Sequence, residues 1–500
     1  MEGSSDRMSD ATSVPIALLP EDILYEIFYV LTRSTFGTRL GCTYPVVTHV
    51  CRHWRHLALH SPQLWTFVCV TPSRSTTLIQ EYLARSKDSP LYVQFISFGS
   101  ALRSLPALEL KGQVLSEHVH RIFEFRAVGF SRMEMKALLS SFTSPAPQLY
   151  SLHLQTDQRL FVEDLFGGQA PSIRDISMKR VATPWLPCRN MTRLDVDNQP
   201  APALWELLLT LRNSPALQVL KLGMYGTVLP ADVPEPQGPI IELLQLQTLA
   251  LITHVHEDVA LILSHLSFPP STAVSLKLRG IRMSPLNLDR GCSSLCNMTS
   301  GVQDIILDLV SDNSWSTCVT LESMDSRIKT QWEWFDAEPD NLDLTHIGFA
   351  AMSFTAIRHI SIRATSYRTT VAQWLGILNH ISTVVSAHID FVDSMVLLFF
   401  LALAGGPETD IHTPISVCPN LKHLIVSRLD DSRENILQSL TSVLDMRAAR
   451  GARLASLDIT MRSGKEFPSP LLSVLRACVD KITIHCRAGT LHYGSTKSPD

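Results

Sequence analysis

The chain has no excess of either charge. Its 43 Lys and Arg stand against 47 Asp and Glu, a formal net charge of −4 over 500 residues. That balance gives no compositional support to binding of nucleic acid or an anionic membrane. Long apolar runs are missing too. The most apolar stretch, 395–404, covers about ten residues, too few to span a bilayer, and reads as a buried helix. The ten cysteines are scattered without regular pairs. The polar stretch 1–13 lacks the apolar core of a secretory signal. It is expected to be disordered, the thiols to be reduced, and the Asn-x-Thr sequences at Asn190 and Asn297 to go unused.

The motifs of chemistry are also absent. There is no G-x-x-x-x-G-K-[ST], no G-x-G-x-x-G opening a helix, no G-x-S-x-G and no H-E-x-x-H. Cys51, His53, His56 and His60 share a short segment. On one helix Cys51 falls on the buried stripe while His53 and His60 fan outward, which matches no closed tetrahedral site. Cys292 and Cys296 lack a second pair, and His254, His256, Glu257 and Asp258 read as solvated polar residues at a helix start. No catalytic residue, cofactor or metal site is expected.

What is present is apolar pattern, with 45% of residues hydrophobic. Pro20 suits the first turn of a helix, where its missing N–H costs nothing, and Glu21 and Asp22 follow where negative charge is favoured. Ile23, Leu24, Ile27, Phe28 and Leu31 then recur at helical spacing. After a polar loop, Val47, Val50, Cys51, Trp54, Leu57 and Ala58 build a second stripe, which Ser61 and Pro62 stop. Such a short helical unit has a very small core, and a partner covering its apolar face would help it.

Beyond it, Phe67–Val70 reads as a strand, 76–86 as a helix and 90–95 as a strand. A three-residue apolar pattern then recurs: Leu149-Leu152-Leu154, Ile173-Ile176-Met178, Leu217-Leu220-Leu222, Leu246-Leu249-Leu251, Ala273-Leu276-Leu278, and on to Val479-Ile482-Ile484. Most spacings are about 24 to 29 residues, the mark of a stacked repeat. The last two apolar residues of each unit lie two apart and so share one face of a short strand. Helical patterns fall between them at 133–142, 203–211, 259–266, 371–381, 394–404, 435–448 and 468–478. Such units cannot bury their apolar faces alone and must stack, with parallel strands on one face and helices on the other. Between Val302 and Ile357 the repeat skips. Residues 312–344 hold Trp315, Trp332, Trp334 and Phe335 among many carboxylates, and read either as one degenerate repeat or as a loop carrying exposed aromatics. Residues 229–245, rich in Pro and Gly, read as a loop.

The first stretch resembles the F-box, a short helical module. The resemblance rests on Leu19-Pro20, the acidic residues, Ile23-Leu24, Ile27-Phe28, Leu31, Val50-Cys51, Trp54 and Pro62-x-Leu64-Trp65. Asp22 stands where a Glu is usual. From about Leu115 to His485 the chain is similar to leucine-rich repeats of irregular type, though the asparagine that usually follows the strand is mostly missing. In style the whole is similar to the large F-box families of mushroom-forming fungi. The expected class is α/β: a disordered start (1–14), an F-box module (15–66), a leucine-rich-repeat-like α/β solenoid (67–490) and a tail (491–500).

The resemblance implies docking to a Skp-type adaptor and, through it, to a cullin–RING ubiquitin ligase. The matching positions are Leu19, Pro20, Ile23, Ile27, Val50, Cys51 and Trp54. The repeats would then hold an unknown protein substrate, and the chain would do no chemistry itself. On the open strand face the candidate substrate contacts are Asp175, Lys179, Arg193, Asp195, Asp197, Lys277, Arg279, His359, Arg363, His388 and Asp390. Their mixed signs fit a protein partner over nucleic acid. The alternative is a repeat scaffold with no ligase role, its helical start only a cap. A cytoplasmic or nuclear location is expected.

Overall fold

The structure, a computed structural model, describes residues 19–36, 46–71, 74–96, 105–185, 188–226, 239–280, 293–312, 316–335, 354–365, 369–391, 395–405, 417–429, 434–461, 467–486 and 489–494. The expected disordered start, most of the loop before Pro45, the proline-rich 227–238, residues 336–344, Trp315, Cys292 and the last six residues lie outside them. The class is mixed α/β, with twelve α-helices and twenty strands among the described residues. The chain divides into two compact units, Met1–Arg189 with Asp197–Gln199, and Asn190–Val196 with Pro200–Asp500.

The first unit runs α1 (Glu21–Thr35), α2 (Arg52–His60), β1 (Phe67–Val70), α3 (Thr76–Arg85), β2 (Leu91–Ile96), α4 (Leu105–Ser116), β3 (Ile122–Phe130), α5 (Arg132–Leu139), β4 (Ser151–Phe161) and β5 (Asp175–Ala182). The five strands are parallel and in phase. Val68, Val93, Phe125, Leu152 and Ile176 lie in one row, and Val70, Phe95, Ala127, Leu154 and Met178 in the next. All ten are buried. The repeat therefore begins at β1, ahead of the apolar triplets that reveal it in the sequence.

Side chains close the turns. Ser75 caps α3, and Ser131 with Glu134 forms a capping box at α5. Arg121, almost wholly buried, donates to the Ser86 hydroxyl and to the Leu83 and Ser89 carbonyls, each at 3.0 Å. Helices α4 and α5 approach so closely that a Cβ on Gly112 would lie 2.9 Å from the Leu138 carbonyl oxygen. The sequence pattern did not reveal α4, whose apolar residues are spread around the helix rather than along one stripe.

Strand β6 (Arg193–Pro200) is shared between the units, and the second unit goes on with α6 (Leu204–Arg212), β7 (Val219–Tyr225), β8 (Ile241–Glu242), β9 (Thr248–Thr253), α7 (His256–Ser264), β10 (Leu266–Ser267), β11 (Ala273–Gly280), α8 (Ser293–Ser300) and β12 (Asp304–Asp312). It continues with β13 (Ser316–Ser323), β14 (Ile328–Phe335), β15 (His359–Thr365), α9 (Val371–His380), β16 (Ser386–Phe391), α10 (Met395–Leu403), β17 (His423–Leu429), α11 (Glu434–Ala449), β18 (Leu454–Met461), α12 (Ser469–Cys478), β19 (Val479–Cys486) and β20 (Gly489–Gly494). Strand follows strand in parallel from β15 to β19, with Ile360, Ala387, Leu424, Leu457 and Ile482 in one buried row. Helices α9 to α12 pack side by side in the same order. Helix α10 is the apolar run 395–404, and its Phe399 meets Trp374 and Phe391 at 5.3 and 5.4 Å.

Three details differ from the sequence reading. Of the two readings of 312–344, an irregular insertion or a degenerate repeat, the described residues show an insertion, and it is folded rather than a loop. Strands β13 and β14 form an antiparallel hairpin, with β13 pairing β12 antiparallel and β14 pairing β11 in parallel. Its buried residues alternate, Val319 and Leu321 facing Trp332 and Thr330. Period two marks a strand that a search for apolar triplets passes over. Second, β11 sits two residues from its expected phase, because Val274 rather than Leu276 pairs with Leu249. Val274, Leu276 and Leu278 are all buried, so the sequence allowed either alignment. Third, the chain turns back after β19, and β20 pairs with it antiparallel through Gly494, inside the stretch expected to be a tail.

Candidate functional site

Two surfaces remain once the core is assigned. The first is on the N-terminal helices. Pro20 precedes α1 and accepts the Leu24 N–H at 3.0 Å. Helix α1 carries three faces. Leu24 and Phe28 are fully buried, and Phe28 meets the Trp54 ring at 4.9 Å. Behind Trp54, the Trp65 indole N–H donates to the Ala58 carbonyl at 2.8 Å, and Arg85 lies 4.4 Å over the Trp65 ring. The second face holds Tyr25 and Tyr29 and leads onto the sheet, with Tyr29 5.8 Å from Phe67.

The third face is apolar and open. Ile23, Val30 and Leu31 are 45%, 60% and 50% exposed, with Ile27 half-buried among them. Val46 and Val50, on the turn before α2, are 65% and 56% exposed. Of the expected docking positions, Ile23, Val50, Pro20 and Cys51 are exposed, and Leu19 and Ile27 are half-buried. Trp54 is 9% exposed and belongs to the small core. Cys51 caps α2, its sulfur accepting the Trp54 N–H at 3.4 Å. His53 lies 4.0 Å from Glu21, and His56 faces His60 with ring centres 4.2 Å apart.

The second surface is the outward side of the strands. In the first unit it carries Asp175, 3.7 Å from His153, and exposed Lys179. A row of rings that the sequence reading missed runs along the strand starts. Phe67 stacks on Tyr92 at 4.9 Å, Tyr92 meets Phe123 at 5.5 Å, and Phe123 stacks on Tyr150 at 5.1 Å. The signal was one aromatic at each strand start, visible only when the strands are aligned. Beside the row, burial raises the Glu124 carboxyl above the usual range against the pull of Arg126.

Near the change from first to second unit, Arg193 pairs with buried Asp195 at 2.6 Å, and Asp197 is half-exposed. Farther along the second unit, Lys277 and Arg279 both hold Glu333 of the hairpin, at 3.2 and 3.0 Å. Burial pushes the Glu333 carboxyl up, but these two cations outweigh it and hold the group below the usual range. Arg363 stands between Asp308, at 4.0 Å, and Asp390 of the next strand, and Asp390 pairs in turn with Arg428. His388 is hydrogen-bonded to the Ser427 hydroxyl at 2.8 Å, while His359 is exposed. Asp258, expected to be solvated, is buried at the start of α7. The candidate face is thus dispersed over many strands, and much of its charge is spent on internal pairs. Among the described residues no three His, Cys, Asp or Glu side chains group as metal ligands, and no helix is long and apolar enough to cross a membrane.

No protein-family model and no curated protein matches the chain. Among solved structures it is similar to one described as the crystal structure of Rad7 and Elc1 complex in yeast. That match has 11% identity and a TM-score of 0.18 and covers 90% of this chain and 91% of that one. At that score the likeness bears on neither fold nor function.

Proposed function

We propose that the chain is the substrate-recognition subunit of a Skp–cullin–F-box type ubiquitin ligase. Its N-terminal helices would dock a Skp-type adaptor and its repeats would hold a protein target. The observation that carries the reading is the open apolar face of α1 with Val46 and Val50. Five large apolar side chains exposed on the N-terminal helices and the turn between them are what a docking partner would cover. Covering each one is worth roughly 1 kcal/mol. The ligase chemistry would lie in the partners, and the chain would act by holding a target near them.

The second reading, a repeat scaffold whose helices only cap the sheet, is favoured by the contact of Tyr29 and Phe36 with Phe67 on β1. Co-purification of the intact chain with a Skp-type adaptor separates the two. Ile23→Glu with Val50→Glu should keep the fold and weaken capture at least about tenfold. Trp54→Ala should instead lose about 3 kcal/mol or more of stability, because it empties the space against Phe28. An intact, folded chain that captures no adaptor leaves the scaffold reading.

A further inference from the structure

The open face of β15 to β19 carries a row with no carboxylate in it. His359, Ser386, His423, Ser456 and Lys481 are register partners on five adjacent parallel strands. Each precedes a buried residue of the core row, so all five point to the open side. At about 4.8 Å between strands the row is roughly 19 Å long. His359, His423 and Lys481 are exposed, and the His423 ring is held by the Ser456 hydroxyl at 2.7 Å. Arg358 and Lys422, one residue before the row, are exposed and make no ion pair among the described residues.

Three of the acids nearby are engaged elsewhere. Asp480 is held by Arg453 at 2.8 Å, Asp458 by His485 at 3.1 Å, and Asp390 by Arg428. Asp304, in register with His359, ends the row. Lys481 of the row, with Arg358 and Lys422 beside it, thus faces solvent while Asp390, Asp458 and Asp480 are held by other partners.

We propose that this row, with Arg358 and Lys422, is the docking site for an acidic protein segment. Its charge complements carboxylates and its serines supply further hydrogen-bond donors. Its length matches about six residues of extended chain. A nucleic acid would call for a broad basic field, whereas here Asp458 lies one position and Asp390 two positions farther along the same face. The proposal deepens the reading of the repeats as a target-binding surface and rests on it; adaptor docking is not required for it.

The test uses the full-length protein and three labelled probes: an eight-residue peptide rich in Glu, the same peptide with Gln for Glu, and a single-stranded oligonucleotide of equal charge. The acidic peptide should bind at least tenfold tighter than its Gln form, and more weakly as salt is raised. Arg358→Glu with Lys422→Glu should weaken it at least tenfold, Arg358→Gln with Lys422→Gln by less, and Lys136→Glu on α5 should leave it unchanged. Equal binding of the Gln peptide, indifference to both double variants, or tighter binding of the oligonucleotide would overturn the proposal. Adaptor capture, measured on the same preparation, separates the two readings. Capture without peptide binding sinks this proposal alone, and peptide binding without capture sinks the ligase reading alone.

Discussion

Several single side chains in this protein close backbone that the repeats leave open. Arg447 is 1% exposed and donates to the carbonyls of Leu403 and Val417 at 3.1 and 3.0 Å and of Cys418 at 2.8 Å. Lys111, whose ammonium is made less basic by burial, donates to the Thr71 carbonyl at 3.0 Å. A buried cation surrounded by carbonyls supplies the donors that turn lacks. The residue scale also sets the thiol chemistry. Burial pushes the Cys188 and Cys418 thiols up to about 12. In the unfolded chain a thiol ionises near about 8.5. The folded state therefore keeps protons that the unfolded state releases, and this contribution to stability is complete below about pH 8.5 and lost as pH rises toward 12. Denaturant midpoints should fall between pH 8 and pH 10, and Cys188→Ala with Cys418→Ala should flatten that fall. At pH 8 a thiol reagent should modify exposed Cys51 well before Cys188 or Cys418.

At the scale of elements, the α1 stripe and most repeat strands could be read directly, because each depends on a short-range period. Leu24 and Phe28 went inward and Ile23 and Val30 stayed out, a division that one helical period cannot make, since it marks apolar residues and not what covers them. The β13–β14 hairpin shows the opposite limit. Its residues alternate correctly, but their partners lie on other strands, and the aromatics set among carboxylates read as a degenerate repeat or a loop carrying exposed aromatics. Trp332, 3% exposed, pairs with Leu278 on one side and Val319 on the other. Trp332→Ala should cost about 3 to 5 kcal/mol, measured by chemical denaturation. If the segment were instead a surface loop, the loss would stay near about 0.5 kcal/mol.

At the scale of the whole molecule, stability within each compact unit comes from neighbour against neighbour, as repeats rest on one another. Two units that each hold their own contacts need not unfold together. Urea unfolding followed by far-ultraviolet circular dichroism and by Trp fluorescence should give transitions that do not coincide. A single superimposable transition would mean that one cooperative unit spans the chain. The class of the fold, the repeat period and the absence of known catalytic motifs were all legible in the amino-acid order, because they depend on residues within a few positions of each other. The sheet neighbours, the insertion of the hairpin between β11 and β12, and the alignment of His359, Ser386, His423, Ser456 and Lys481 were not. Those depend on which strands the stacking brings side by side, and register across strands is set by packing between residues widely separated in the chain.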